Sequence, residues 1–120
     1  MAAAAAQMVA SRYIDDGALA EAVSRRRVRT GQGPARIAQD LRRRGVGAET
    51  VDAAVAGLDP EEVRREALSV GRRVVAGHPE DDARTLRQRV GAALQRRGHT
   101  MDVIHHVLRS LEVPDPGEPD

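Results

Sequence analysis

The stretch GPARIAQDLRRRGVGAETVDAAVAGL, residues 33–58, reads as two short amphipathic helices around a glycine turn. Pro34 stands where a first-turn proline belongs, because its missing N–H would have no intrahelical partner there anyway. Ile37, Ala38 and Leu41 recur at helical spacing and predict the inner face of a helix running to Arg44. Gly45 closes it as a left-handed C-terminal cap. A following helix from about Ala48 to Gly57 buries Val51, Ala54 and Val55, with Leu58 just beyond.

The same pattern returns 53 residues later. Arg36 falls on Arg89, Ile37 on Val90, Leu41 on Leu94, Arg43 and Arg44 on Arg96 and Arg97, and Gly45 on Gly98; Glu49 then falls on Asp102, Val51 on Ile104, Val55 on Leu108 and Leu58 on Leu111. Apolar positions, capping glycine and basic helix end recur together, which marks an internal repeat rather than amphipathic helices in general.

Each pair of helices has a helix before it. Upstream, a helix from about Asp15 to Arg29 places Leu19, Val23 and the stem of Arg27 on one stripe, and Thr30, Gly31, Gln32 and Gly33 break it. Downstream, Asp59-Pro60-Glu61-Glu62 combines an N-cap, a proline at the first helical position and acids in the first turn. The helix it starts runs to about Ala76 and turns Val63, Ala67, Val70 and Val74 inward. After Gly77-His78-Pro79, a fifth helix from about Glu80 to Arg97 uses Leu86, Val90, Ala93 and Leu94. A sixth from Thr100 to Leu111 uses Ile104, Val107, Leu108 and Leu111. The expected fold is all-α, two tandem three-helix repeats making six helices, over residues 13–58 and 59–112. A disordered or partly helical tail at 1–12 and a disordered acidic tail at 113–120 flank them.

Composition limits the function classes. A chain of 120 residues without cysteine has no disulfide framework, thiolate nucleophile or cysteine-based metal site, as befits a reducing cytoplasm. MAAAAAQMVASR lacks the charged and leucine-rich regions of a secretory signal, and no apolar run approaches the roughly 20 residues that cross a bilayer. With one aromatic residue, Tyr13, the chain cannot build a base-stacking platform for single strands.

The formal net charge of +1 hides a strong segregation. All 19 cationic residues are arginine, a bias that GC-rich codon usage explains as well as guanidinium chemistry does. Residues 24–47 hold eight arginines against Asp40 alone, net +7, while 48–68 hold six acids and two arginines, net −4. Residues 80–98 are net +2, with five arginines and three acids. Helix dipoles account for arginines at single helix ends. They do not account for Arg25, Arg26, Arg27 and Arg29 crowding around the loop that leads to Arg36, where like charges repel, so an anionic partner is expected.

Other motifs are weaker. Gly31-Gln32-Gly33 has neither a preceding strand nor a Gly-Lys-Ser/Thr ending, so it is expected to be a flexible hinge and not a phosphate loop. His105 and His106 point to different helix faces, and only Asp102 and His106 have ligand-like spacing. No metal site, cofactor or catalytic grouping is expected.

From DDGALAEAVSRRRVRTGQGPARIAQDLRRRGV, residues 15–46, and LQRRGHTMDVIHHVLRSL, residues 94–111, the chain resembles the RecX family of recombination regulators. The shared features are the Asp-Asp start, Ala-Glu-Ala, Gly-x-Gly-Pro-x-Arg-Ile, Leu-Arg-x-x-Gly, and an Arg-Arg-Gly turn before a helix carrying Val-Ile and Val-Leu. The resemblance covers residues 11–112 and implies tandem three-helix units that lie along the groove of the RecA filament. It further implies inhibition of RecA ATPase, strand exchange and co-protease activity in DNA repair, recombination and the SOS response. The implied partner is RecA with its bound single-stranded DNA, and the implied state is a cytoplasmic monomer, not an enzyme. Arg25, Arg27, Arg29, Arg36, Arg43 and Arg44 match basic positions of the motif, with Arg89, Arg96 and Arg97 as second-repeat counterparts; these are the expected contacts. The family usually has an aromatic residue at Leu19, often another at Val23, and a basic residue at Gln32. It also carries a further three-helix unit ahead of the Asp-Asp segment, which MAAAAAQMVASR does not supply.

Two alternatives compete. Residues 34–58 could act as a stand-alone helix-turn-helix DNA binder, although the helix that would read bases carries Glu49 and Asp52 and no arginine. A small helical scaffold whose arginines only solubilise it is the other.

Overall fold

The computed structural model describes residues 2–114, with side chains from Asp16 to Pro114. Among the described residues there are six helices and no strand: α1 Ala2–Arg29, α2 Pro34–Arg43, α3 Ala48–Ala56, α4 Pro60–Ala76, α5 Ala83–Arg96 and α6 Met101–Ser110. The fold is all-α, with two three-helix units in tandem. Beyond Pro114 the expected acidic tail lies outside the described residues. None of the described helices is long and apolar enough to cross a membrane.

Helix ends follow the local chemistry. α2 and α5 close alike: Gly45 and Gly98 take φ of +84° and +87°, and the next residue returns its N–H to the helix, Val46 to Leu41 O and His99 to Leu94 O, both at 3.1 Å. This is the glycine-dependent C-terminal cap in which two backbone donors fold back onto the last turn. α4, α5 and α6 start on side-chain caps. Asp59 accepts from Glu61 N–H at 3.0 Å, Asp82 from Thr85 N–H at 2.8 Å and Thr100 Oγ1 from Val103 N–H at 3.4 Å. The Thr85 donor also holds the Asp82 carboxyl below its usual range. Because Asp82 is the cap, α5 begins at Ala83 rather than near Glu80, and the preceding residues form a turn closed by Asp81 N–H on His78 O. Replacing Asp82 with alanine should lower the midpoint of urea unfolding. An unchanged midpoint would show that the cap contributes nothing.

α1 differs from expectation in two respects. It starts at Ala2 instead of near Asp15, and its buried face is Ala20, Val23, Ser24 and Val28, while Leu19 is 41% exposed. The reason is packing against α3, where small side chains let the helices approach closely; Ser24 Oγ donates to Ala20 O at 2.7 Å, so its hydroxyl is satisfied within the helix. Arg27 is about two-thirds buried, and its guanidinium faces Asp40.

The apolar core has two parts joined by α4. Ala20, Val23, Val28, Ile37, Ala38, Leu41, Val46 and Val51 form the first, together with Val63 from the first turns of α4. Ala67 and Val70, one and two turns later, enter the second with Val90, Leu94, Ile104, Val107 and Leu108. A helix buried at both ends in different cores sets the direction of one repeat relative to the other.

Candidate functional site

The repeats also meet at the loop between α1 and α2. Gly31 and Gly33 are buried there. Gly33 N–H donates to Arg97 O at 2.7 Å and Ala35 N–H to Gly98 O at 3.1 Å, so the start of α2 hangs on the turn that ends α5. In return Arg97 Nη1 donates to Thr30 O at 2.9 Å, and His99 Nε2 bonds Gly31 O at 2.8 Å. There is no room for side chains: a Cβ on Gly33 would stand 2.6 Å from Gly98 O, and one on Gly98 would collide with Arg36 N. Gly31-Gln32-Gly33 is therefore an interlocked joint, not the flexible hinge expected from its glycines. Those glycines serve close backbone approach to a partner far along the chain, which no local pattern reveals.

The joint creates a cleft of about 530 Å³ lined by Gln32, Arg36, Val70, Arg73, Val74, Ala93, Arg96 and Arg97. Guanidinium groups from α2, α4 and the end of α5 surround an apolar floor, and among the described residues no carboxylate lines it. A smaller recess shares Val74, Ala93 and Arg96 with the cleft and carries it along α5 to Arg89, past His78, Thr85 and Gln88. Arg89 is paired there with Asp81. Arg36 shares Asp40 with Arg27, each Nε standing 3.7 Å from a carboxylate oxygen, and Asp40 is largely buried. Gln32, with its amide turned to suit both neighbours, donates to Asp40 Oδ2 at 3.2 Å and accepts from Arg27 Nη1 at 3.3 Å. The network aligns Arg27 and Arg36 while cancelling only one of their two charges.

The arginines expected to face a partner thus separate. Arg36, Arg96 and Arg97 come together in the cleft, Arg89 extends it, and Arg27 adjoins it through Asp40. Arg43 and Arg44 are exposed at the far end of α2, and Arg29 is exposed at the end of α1. Arg25 lines a different recess, between α1, α3 and α4, beside Glu21, Asp59 and Glu62. Arg73 was not singled out by the sequence. Its signal was weak but present: it lies three residues after Val70 and one before Val74, at the border of the inward stripe of α4.

Convergent guanidiniums over an apolar floor suit planar anionic groups, since each can give two parallel N–H donors to a phosphate or carboxylate. Such an arrangement can bind and orient an anion.

Comparison with known proteins agrees with this architecture. Residues 15–55 match the sequence model described as RecX, second three-helix domain, and residues 61–108 match RecX, third three-helix domain. The regulatory protein RecX of Halorhodospira halophila is 37% identical over 102 residues, 85% of this chain and 62% of that protein. That of Mycolicibacterium smegmatis is 36% identical over 111 residues, 88% of this chain and 58% of that protein. The chain thus spans about three fifths of the length of these relatives. A crystal structure of RecX from Lactobacillus salivarius shares the fold, with a TM-score of 0.78 over 90% of this chain and 74% of that one, at 18% identity. Through its second and third three-helix domains, this chain belongs to the RecX family of regulatory proteins.

Proposed function

We propose that the chain is a non-enzymatic regulator of homologous recombination that docks on the RecA–DNA filament in the cytoplasm and lowers RecA ATPase and strand exchange. The observation that supports this most is the arginine surface running from Arg36 over Arg97, Arg73 and Arg96 to Arg89. Because the joint holds the repeats together, these residues offer a long anionic groove one continuous surface. In this reading Arg25, Arg27, Arg29, Arg43 and Arg44 are flanking contacts that strengthen long-range attraction.

The helix-turn-helix alternative fits less well. α3, in the place of a recognition helix, exposes Glu49 and Asp52, which phosphates of a duplex groove would repel. Sedimentation of RecA–single-strand filaments separates the readings. The protein should pellet with filaments and stay in the supernatant with an equal mass of naked duplex. Pelleting with neither would sink the proposal.

A further inference from the structure

We propose that His99 is a positioning residue of the arginine cleft, whose neutral imidazole fastens one repeat to the other so that anion binding weakens as the pH falls. The proposal rests on the cleft being the partner surface.

Comparison of the two repeats isolates the feature. Val46 and His99 occupy equivalent places, each following a left-handed glycine, each returning its N–H to the preceding helix, and each buried at 6% and 7% exposure. In the first repeat a valine suffices, and it joins the apolar core. The second repeat has a histidine there, and the ring does not stay in its own core but reaches across to Gly31 O. The cap does not require an imidazole; the bond between repeats does.

A carbonyl oxygen only accepts, so Nε2 carries the proton and Nδ1 is left with a bare lone pair. Nδ1 is buried without a partner, and the backbone of Gly33 stands against it, so that a Cβ there would lie 2.7 Å away. Protonation would create a buried cation with an unpaired donor at that point. Burial lowers the imidazole pKa from its ordinary 6.5; the Gly31 bond opposes this, and the nearby Arg97 charge adds to it. Arg97, on the same turn, is the charged side chain whose field reaches the ring. Asp40 is engaged by Arg27 and Arg36, and among the described residues no carboxylate forms an ion pair with the ring.

Because the folded state prefers the neutral ring, the stability of the joint is complete above the ordinary imidazole value and is lost as the pH falls from there through the lowered folded value. The cleft responds because Gly31 leads through Gln32 to Arg36, and the turn bearing His99 also bears Arg97. Loosening the bond separates the arginines of α2 from those of α5. Simple electrostatics predicts the opposite, since acidification makes a protein more positive and should tighten anion binding. The direction of the pH profile therefore discriminates.

The test uses fluorescence anisotropy of a labelled oligodeoxythymidine between about pH 8 and about pH 5, beside NMR titration of the histidine rings of the unmodified protein. The wild type should bind about tenfold more weakly at the acidic end. The His99→Val variant should start weaker but show no acid weakening. The His99 ring should titrate below its ordinary value, with the Gly33 and Ala35 amides moving at the same midpoint. Wild-type binding that tightens on acidification, or a ring that titrates at its ordinary value, overturns the proposal. Should His99→Val fail to fold, the wild-type titration decides alone: Gly33 and Ala35 amides that do not follow the ring contradict it. Loss of RecA association with these profiles intact would refute the filament reading and leave the latch standing.

Discussion

Gly98→Ala is expected to destabilise the protein severely, whereas Gly45→Ala at the equivalent place in the first repeat should be tolerated. Both glycines have φ near +85° and close the same cap. At Gly45 nothing lies within 4 Å of an added Cβ, so the cost is the left-handed backbone alone, about 1–2 kcal/mol. At Gly98 the same atom would strike the main chain of Arg36. The first turn of α2 could retreat only by breaking Gly33 N–H to Arg97 O and Ala35 N–H to Gly98 O. With the strain and both hydrogen bonds lost, the cost should be about 3–5 kcal/mol, a large share of the roughly 5–15 kcal/mol that holds a domain together. Urea unfolding of the two variants measures the difference. Equal destabilisation would mean that the repeats are not joined at this point.

The second large effect concerns the cleft. Replacing Arg36, Arg73 and Arg96 together with glutamine should weaken binding of single-stranded DNA at least about a thousandfold, at roughly 1.5 kcal/mol or more for each charged contact. It should also flatten the salt dependence: at about 0.7 per phosphate contact on a single strand, the log–log slope falls by about 2. Arg97 is left intact because its bond to Thr30 O would confuse loss of a contact with loss of the joint. Arg25→Gln is the matched control. Arg25 lies in the recess with Glu21, Asp59 and Glu62, away from the cleft, and its loss should change binding no more than a peripheral charge does. A slope unchanged by the triple substitution would remove the cleft from the binding surface.

Much of the fold was legible because it is written locally. Pro34, Gly45, Asp59 and Gly98 fix helix ends through backbone chemistry that acts within a few residues. The inward rows Ile37-Ala38-Leu41 and Ile104-Val107-Leu108 follow the helical period directly. Recurrence at 53 residues then shows two units where a single one would be ambiguous. Leu19 was misread for a physical reason: hydrophobicity favours leucine inside, but the close approach of α1 and α3 selects Ala20 and Ser24. The role of Gly31 and Gly33 was hidden because their partners, Arg97 to His99, lie more than sixty residues away. Arg73 was hidden for a related reason. A helix surface acquires meaning only when another helix end is placed beside it.

The placement of charge follows the same logic. Asp40, the one acid among the arginines of residues 24–47, is the pin that aligns Arg27 and Arg36. The acids of residues 48–68 lie on α3 and the start of α4, where Asp59 and Glu62 share a recess with Arg25. Among the described residues no carboxylate lines the cleft itself, although Arg36 is paired with Asp40 beside it.

On the proposed reading, the two repeats, locked by this joint, present one arginine surface to the RecA filament. The most direct measurement is the DNA-dependent ATPase of RecA with the protein titrated in, comparing the wild type with the Arg36, Arg73 and Arg96 glutamine variant. The account predicts inhibition by the wild type that the folded variant loses over the same concentrations. Equal inhibition by both, or none by the wild type at concentrations that saturate the filament, would contradict it.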